Sequence, residues 1–144
     1  MRIKGSEKRR KLTKLRDRGE FHLLEILGVN VIDDSCTPSD CAGFVAHQLG
    51  LQGRLDILRL LDQQPELETP QEGCIVTYSI GDIVRHYGLF RSGRVISKWN
   101  DKGPIVKHTL EDVPSDYGNG IKFKEVNGDL FYKAQLLLQG VDPI

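Results

Sequence analysis

Helices ahead of an antiparallel meander, an α+β fold, are written into the order of the hydrophobic periodicities. As far as Gln63, apolar residues recur at helical spacing. From Gly73 onward they form short β-rich runs separated by turn residues. Segregation of this kind, rather than strand–helix alternation, points to α+β. At 144 residues the chain is long enough for one domain with a proper core.

The elements follow in order. Ser6 to about Leu27 reads as a helix carrying Leu12, Leu15, Phe21, Leu24 and Leu27, with Gly19 as a weak point and Gly28 as its end. Val29–Ile32 is a short extended piece. Thr37-Pro38-Ser39-Asp40 is a helix start in which Thr37 caps, Pro38 takes the first helical position and Asp40 completes a capping box. That helix runs to Leu49 and closes at Gly50. A second spans Leu55–Gln63, followed by a polar connector from Gln64 to Glu72. Strands are expected at Cys74–Tyr78, Ile83–Phe90, Gly93–Trp99 and Ile105–Thr109, with a hairpin turn at Ser92-Gly93. A short helical turn at Leu110–Pro114 and a loop at Ser115–Gly120 come next. At the end, Ile121–Val126 and Leu130–Tyr132 pair around Asn127-Gly128, or Asp129 caps a last helix through Leu138.

Net charge is zero, but residues 1–20 hold nine Lys/Arg against Glu7, Asp17 and Glu20. The segment is therefore +6 and the rest −6. Residues 1–27 form a basic helical arm. It is a solvated face, or it touches nucleic acid, an anionic surface or the protein's own acidic body. No apolar run is long enough to span a membrane, and no secretory signal is visible. Three cysteines (Cys36, Cys41, Cys74) are expected to be reduced thiols in a cytoplasmic protein.

The chemistry centres on Cys41. A helix start places it in the first turn, where unpaired N–H groups and the helix dipole favour a thiolate. His86 follows on a strand, in Arg85-His86-Tyr87-Gly88-Leu89-Phe90. A cysteine opening a helix with a histidine on a later strand is the arrangement of a thiol hydrolase. Cys36, Cys41 and His47 do not have the spacing of a zinc site, and neither metal nor cofactor is expected. His47 reads as structural, His22 as a surface residue and Trp99 as core or cleft wall.

Three ordered blocks carry a resemblance. Asp40-Cys41-Ala42-Gly43-Phe44 resembles the Asp-Cys-Ser-Gly-aliphatic motif of NlpC-like papain-fold peptidases and amidases, the superfamily that includes the CHAP relatives. Pro70-Gln71-Glu72-Gly73-Cys74-Ile75-Val76-Thr77-Tyr78 is similar to their Pro-Gly-Asp-hydrophobic strand, and Arg85–Phe90 to their His-x-Gly-Ile-Tyr. The run Ser97-Lys98-Trp99 with His108 and Val113-Pro114-x-x-Tyr117-Gly118 also resembles a divergent branch of that superfamily. The resemblance implies a papain-like domain over 28–144, with the nucleophile helix packed on an antiparallel sheet. Cys41 would be the nucleophile, its N–H part of an oxyanion hole, and His86 the general base acting on a peptide or other amide bond. The residue that orients His86 is left open among Ser97, Asn100 and His108. A domain that keeps the fold for binding without catalysis is the alternative.

Overall fold

The computed structural model describes residues 1–35, 39–51 and 55–142. Its sheet contains β1 (Asn30–Asp33), β2 (Glu66–Leu67), β3 (Ile75–Ile80), β4 (Ile83–Arg91), β5 (Arg94–Lys98), β6 (Ile105–His108) and β7 (Gly120–Lys124). They lie in the order β1-β6-β5-β4-β3-β7-β2, every neighbouring pair antiparallel. The helices are α1 (Glu7–Asp17), α2 (Cys41–Gln48), α3 (Leu55–Asp62) and α4 (Gly128–Leu138), with 3-10 turns at Phe21–Leu27 and Ser115–Tyr117. The α+β composition is as the sequence indicates.

Alternation along the strands divides the apolar residues between two cores. One holds Val76, Tyr78, Val95, Val106, Ile121 and Phe123, packed with Leu12 of α1, Leu24, Trp99 and Tyr117. The other holds Ile75, Tyr87 and Leu89, packed with Val45 of α2, Leu60 and Leu61 of α3, and Leu130 and Ala134 of α4. The sheet is thus covered on both faces, by the N-terminal segment on one and by α2–α4 on the other.

Local chemistry explains where the elements differ from expectation. The continuous helix expected over Ser6–Leu27 is broken. Ser6 caps α1 by accepting from Arg9 N at 3.1 Å. The chain then leaves the helix at Gly19, whose φ of +69° lies in the left-handed region. The cap of α2 is Asp40, which accepts from Gly43 N at 2.6 Å; Thr37 and Pro38 lie outside the described residues. Asp40 therefore sits at the N-cap rather than at N3, and Cys41 becomes the first helical residue. At the far end, of the two alternatives the helix through Leu138 forms and the Asn127-Gly128 hairpin does not, with Asn127 rather than Asp129 as its cap. Asn127 accepts from Leu130 N at 3.2 Å and starts α4, while Asp129 pairs with Lys133 one turn on. Ser92 and Gly93, with φ of 52° and 79°, do form the hairpin turn between β4 and β5.

The basic segment is folded against the acidic body. Arg9 is 1% exposed and donates to the carbonyls of Lys4, Val113, Pro114 and Gly118 and to Asn119 Oδ1, at 2.6–3.3 Å. Five acceptors compensate the guanidinium for its lost water, although burial still lowers its pKa. Arg16 binds Asp116 through both Nη atoms, at 2.8 and 2.5 Å, and Lys8 reaches Asp112 at 3.0 Å.

Candidate functional site

The β3–β4 hairpin sets the position of His86. Tyr78 pairs with His86 and Ser79 with Val84, so Arg85 is the extra residue of a β-bulge. Strict alternation would put Val84 and His86 on one face. The bulge separates them: Val84 joins the core under α2, and His86 turns to the face that carries Tyr78 and the N-terminal segment.

There the His86 ring lies parallel to that of Tyr117, with centroids 4.0 Å apart and planes 3° from parallel. Tyr78 lies tilted at 5.7 Å. His86 is fully buried, and neither ring nitrogen has a hydrogen-bond partner. The Tyr117 hydroxyl is likewise buried and makes no well-aligned hydrogen bond, although the Arg16 guanidinium lies close to it. Among the described residues, three of the four orphaned buried side-chain polar atoms belong to this one stacked pair. Burial, with His108 and Arg16 adding positive charge nearby, pushes the His86 pKa well below 6.5, so the imidazole is neutral at physiological pH.

Cys41 is half-buried at the first position of α2. Burial pushes its thiol pKa up. The amides of Tyr87, Ala42 and Cys41 itself pull it down but are outweighed, and the Asp40 carboxylate adds to the rise. The thiolate expected from a helix start is therefore not the resting form: desolvation overcomes the helix-end amides. Cys41 is also within electrostatic reach of the Tyr117 phenol, whose pKa burial raises. Tyr87, the residue after His86, lies on the α2 side and donates its hydroxyl to Asp62 Oδ1 at 2.8 Å.

None of the three residues considered for orienting His86 hydrogen-bonds its ring. Ser97 Oγ and His108 Nε2 are 2.9 Å apart, and Trp99 Nε1 donates to Ser97 Oγ at 3.2 Å. His108 Nδ1 is 2.6 Å from the Thr109 carbonyl, which accepts only, so Nδ1 carries the proton. Nε2 is then the acceptor, and Ser97 donates to it. The chain Trp99→Ser97→His108→Thr109 leaves no polar atom of these side chains unpaired. Burial nevertheless lowers the His108 pKa to about 4. Asn100 adopts a left-handed φ of 68° in an exposed loop, and its carbonyl accepts from the buried Lys98 ammonium at 3.0 Å. That loop touches the α2 approach, since Ser39 N donates to Asp101 O at 3.2 Å.

Tyr117 and Arg16 were not legible as site residues. The one sequence signal for Tyr117 is its place in Val113-Pro114-x-x-Tyr117-Gly118. Arg16 shares a helix face with Arg9 and Leu12 at i, i+3 and i+7 spacing, a pattern that a basic run conceals. Among the described residues no group of His, Cys, Asp and Glu is placed to hold a metal ion, and no helix is long and apolar enough to cross a membrane. The structure thus holds a helix-start thiol at the edge of the core under α2 and a buried, unpartnered imidazole against Tyr78 and Tyr117 of the other core, and no direct contact joins Cys41 to His86. In comparisons with known proteins, no family model and no curated protein matches the sequence.

Proposed function

We propose that the chain is a papain-like thiol hydrolase of peptide or other amide bonds, with Cys41 as nucleophile and His86 as general base. The observation that carries this reading is the cluster of orphaned polar atoms on the stacked His86 and Tyr117, which lies within electrostatic reach of Cys41. Buried polar groups left without partners lower stability, and they concentrate where function requires them. In this mechanism a neutral imidazole meets a protonated thiol. The proton passes from Sγ to His86 as sulfur bonds to the substrate carbonyl carbon. Backbone amides at the α2 start stabilise the developing oxyanion, His86 then protonates the leaving amine, and water cleaves the thioester. The ordered motifs around Cys41, Gly73 and His86 support the same reading.

Labelling with a thiol-directed electrophile across pH tests the pair. Cys41 should react far faster than the buried Cys74, and His86→Ala should slow it by about 100-fold at pH 7. Because the His86 pKa is depressed, the reactive neutral base persists below pH 6.5, and the acid limb falls below that value. Equal labelling of all three thiols, Cys36, Cys41 and Cys74, unaffected by His86→Ala, would sink the proposal.

A second reading, a binding domain without turnover, draws on the raised thiol pKa and the enclosure of His86. Its contact surface would be the exposed cations Arg10, Lys11, Lys14 and Arg18 at α1, facing nucleic acid or another anionic surface. It calls for strongly salt-dependent binding with Cys41→Ala as competent as the parent chain.

A further inference from the structure

We propose that Tyr117, braced from the N-terminal helix by Arg16, is the positioning residue for His86, a role the sequence left open among Ser97, Asn100 and His108. The inference rests on the Cys41–His86 reading above.

Three observations carry it. First, the candidates on β5 and β6 are committed elsewhere: Ser97 and His108 bond each other, with Trp99 and Thr109 taking their remaining capacity. Second, no hydrogen bond fixes the His86 ring, so only its ring contacts can set its plane, and the parallel Tyr117 face at 4.0 Å is the closest of them. Third, Tyr117 is itself held by Arg16. The Arg16 guanidinium lies 5.1 Å from its ring centroid, and Asp116 and Asp17 clamp that guanidinium by hydrogen bonds of 2.5–3.0 Å.

Arg16, Tyr117 and His86 thus form a contiguous cluster, with His86 stacked on Tyr117 and Arg16 against the same Tyr117 ring, running from α1 through the 3-10 turn to β4. A stack fixes the ring plane while leaving both nitrogens open, which suits a base that must accept a proton and then give it up. A hydrogen-bonded orienter instead occupies one nitrogen and favours the imidazolium. Here the groups facing His86 are Tyr78 from β3, Tyr117 from the 3-10 turn, Arg16 from α1 and His108 from β6; the Asp116 carboxylate is engaged by Arg16. None is an anion directed at the ring. The stack therefore also keeps His86 neutral.

The test follows alkylation of Cys41 by iodoacetamide in the full chain from pH 4 to 9, by peptide mass spectrometry. Tyr117→Leu should slow Cys41 by about tenfold at pH 7 and move the acid limb up toward 6.5 as water reaches the ring. Tyr117→Phe, which keeps the stack, should restore both rate and profile. Arg16→Met should act in the same direction as Tyr117→Leu. A folded Tyr117→Leu with the parent profile, alongside a slowed His86→Ala, overturns the positioning role and leaves the Cys41–His86 pair standing. If His86→Ala changes nothing, the pair itself fails and this inference falls with it. Should Tyr117→Leu not fold, the parent protein still decides by NMR. The His86 Cε1 proton should be shifted upfield by the Tyr117 ring current, and an ordinary position overturns the stack.

Discussion

Two histidines are buried on the same face of the sheet, and they are treated in opposite ways. His108, on β6, has both ring nitrogens hydrogen-bonded and lies in a closed chain with Trp99, Ser97 and Thr109. His86, on β4, has neither nitrogen bonded and is held by ring contacts alone. A satisfied buried polar network rigidifies a core, whereas an unsatisfied one costs stability unless it has a task. The contrast separates a structural imidazole from one available for chemistry, although burial depresses both pKa values.

Acid gives the largest test of this contrast. Both imidazoles are neutral in the folded protein and titrate near 6.5 once unfolded. Below that pH the unfolded chain binds more protons, so stability falls as pH drops. His108 alone, with its pKa at about 4, removes roughly 3 kcal/mol between pH 6.5 and 4. His86 adds to the loss in the same window, and neither contributes above pH 6.5. Urea titrations at pH 7.5, 5.5 and 4.5 should show this decline, and a flat profile would mean that the imidazoles are not buried as described.

Next in size is Ser97→Ala. It strands the Trp99 N–H and His108 Nε2 at once and should cost about 2 kcal/mol of unfolding free energy. A loss below about 0.5 kcal/mol would break the distinction, since the network would then hold nothing.

The smallest effect is expected at His86. His86→Leu removes two unsatisfied buried nitrogens and loses only stacking with Tyr117, so stability should stay within about 1 kcal/mol of the parent or rise. The same variant should abolish base assistance to Cys41. A destabilisation as large as that of Ser97→Ala would show that His86 has structural partners after all.

Much of the framework was readable in the chain. The strands from Cys74 to Thr109, the Ser92-Gly93 turn and the helix at Cys41 follow from periodicity and local turn and cap chemistry. Asn127-Gly128 carries as good a turn signal as Ser92-Gly93 but begins a helix. Leu130 and Ala134 are buried when α4 forms and packs beside α3 over the second core. Local signals were equal there, and tertiary burial chose between them. The basic segment combines two of its readings: seven of its nine cations stay exposed, while Arg9 and Arg16 are buried because carbonyls and Asp116, distant in sequence, replace their water.

By itself the sequence determined the order of helices and strands and the placement of Cys41 at a helix start. These depend on spacing and capping over a few residues. Only the tertiary structure decided what surrounds them. The bulge at Arg85 turns His86 to one face, the 3-10 turn brings Tyr117 against it, and α1 brings Arg16 against Tyr117. Burial then sets the ionisation of both His86 and Cys41. Desolvation and stacking depend on how distant segments close over a side chain, so no local pattern can encode them.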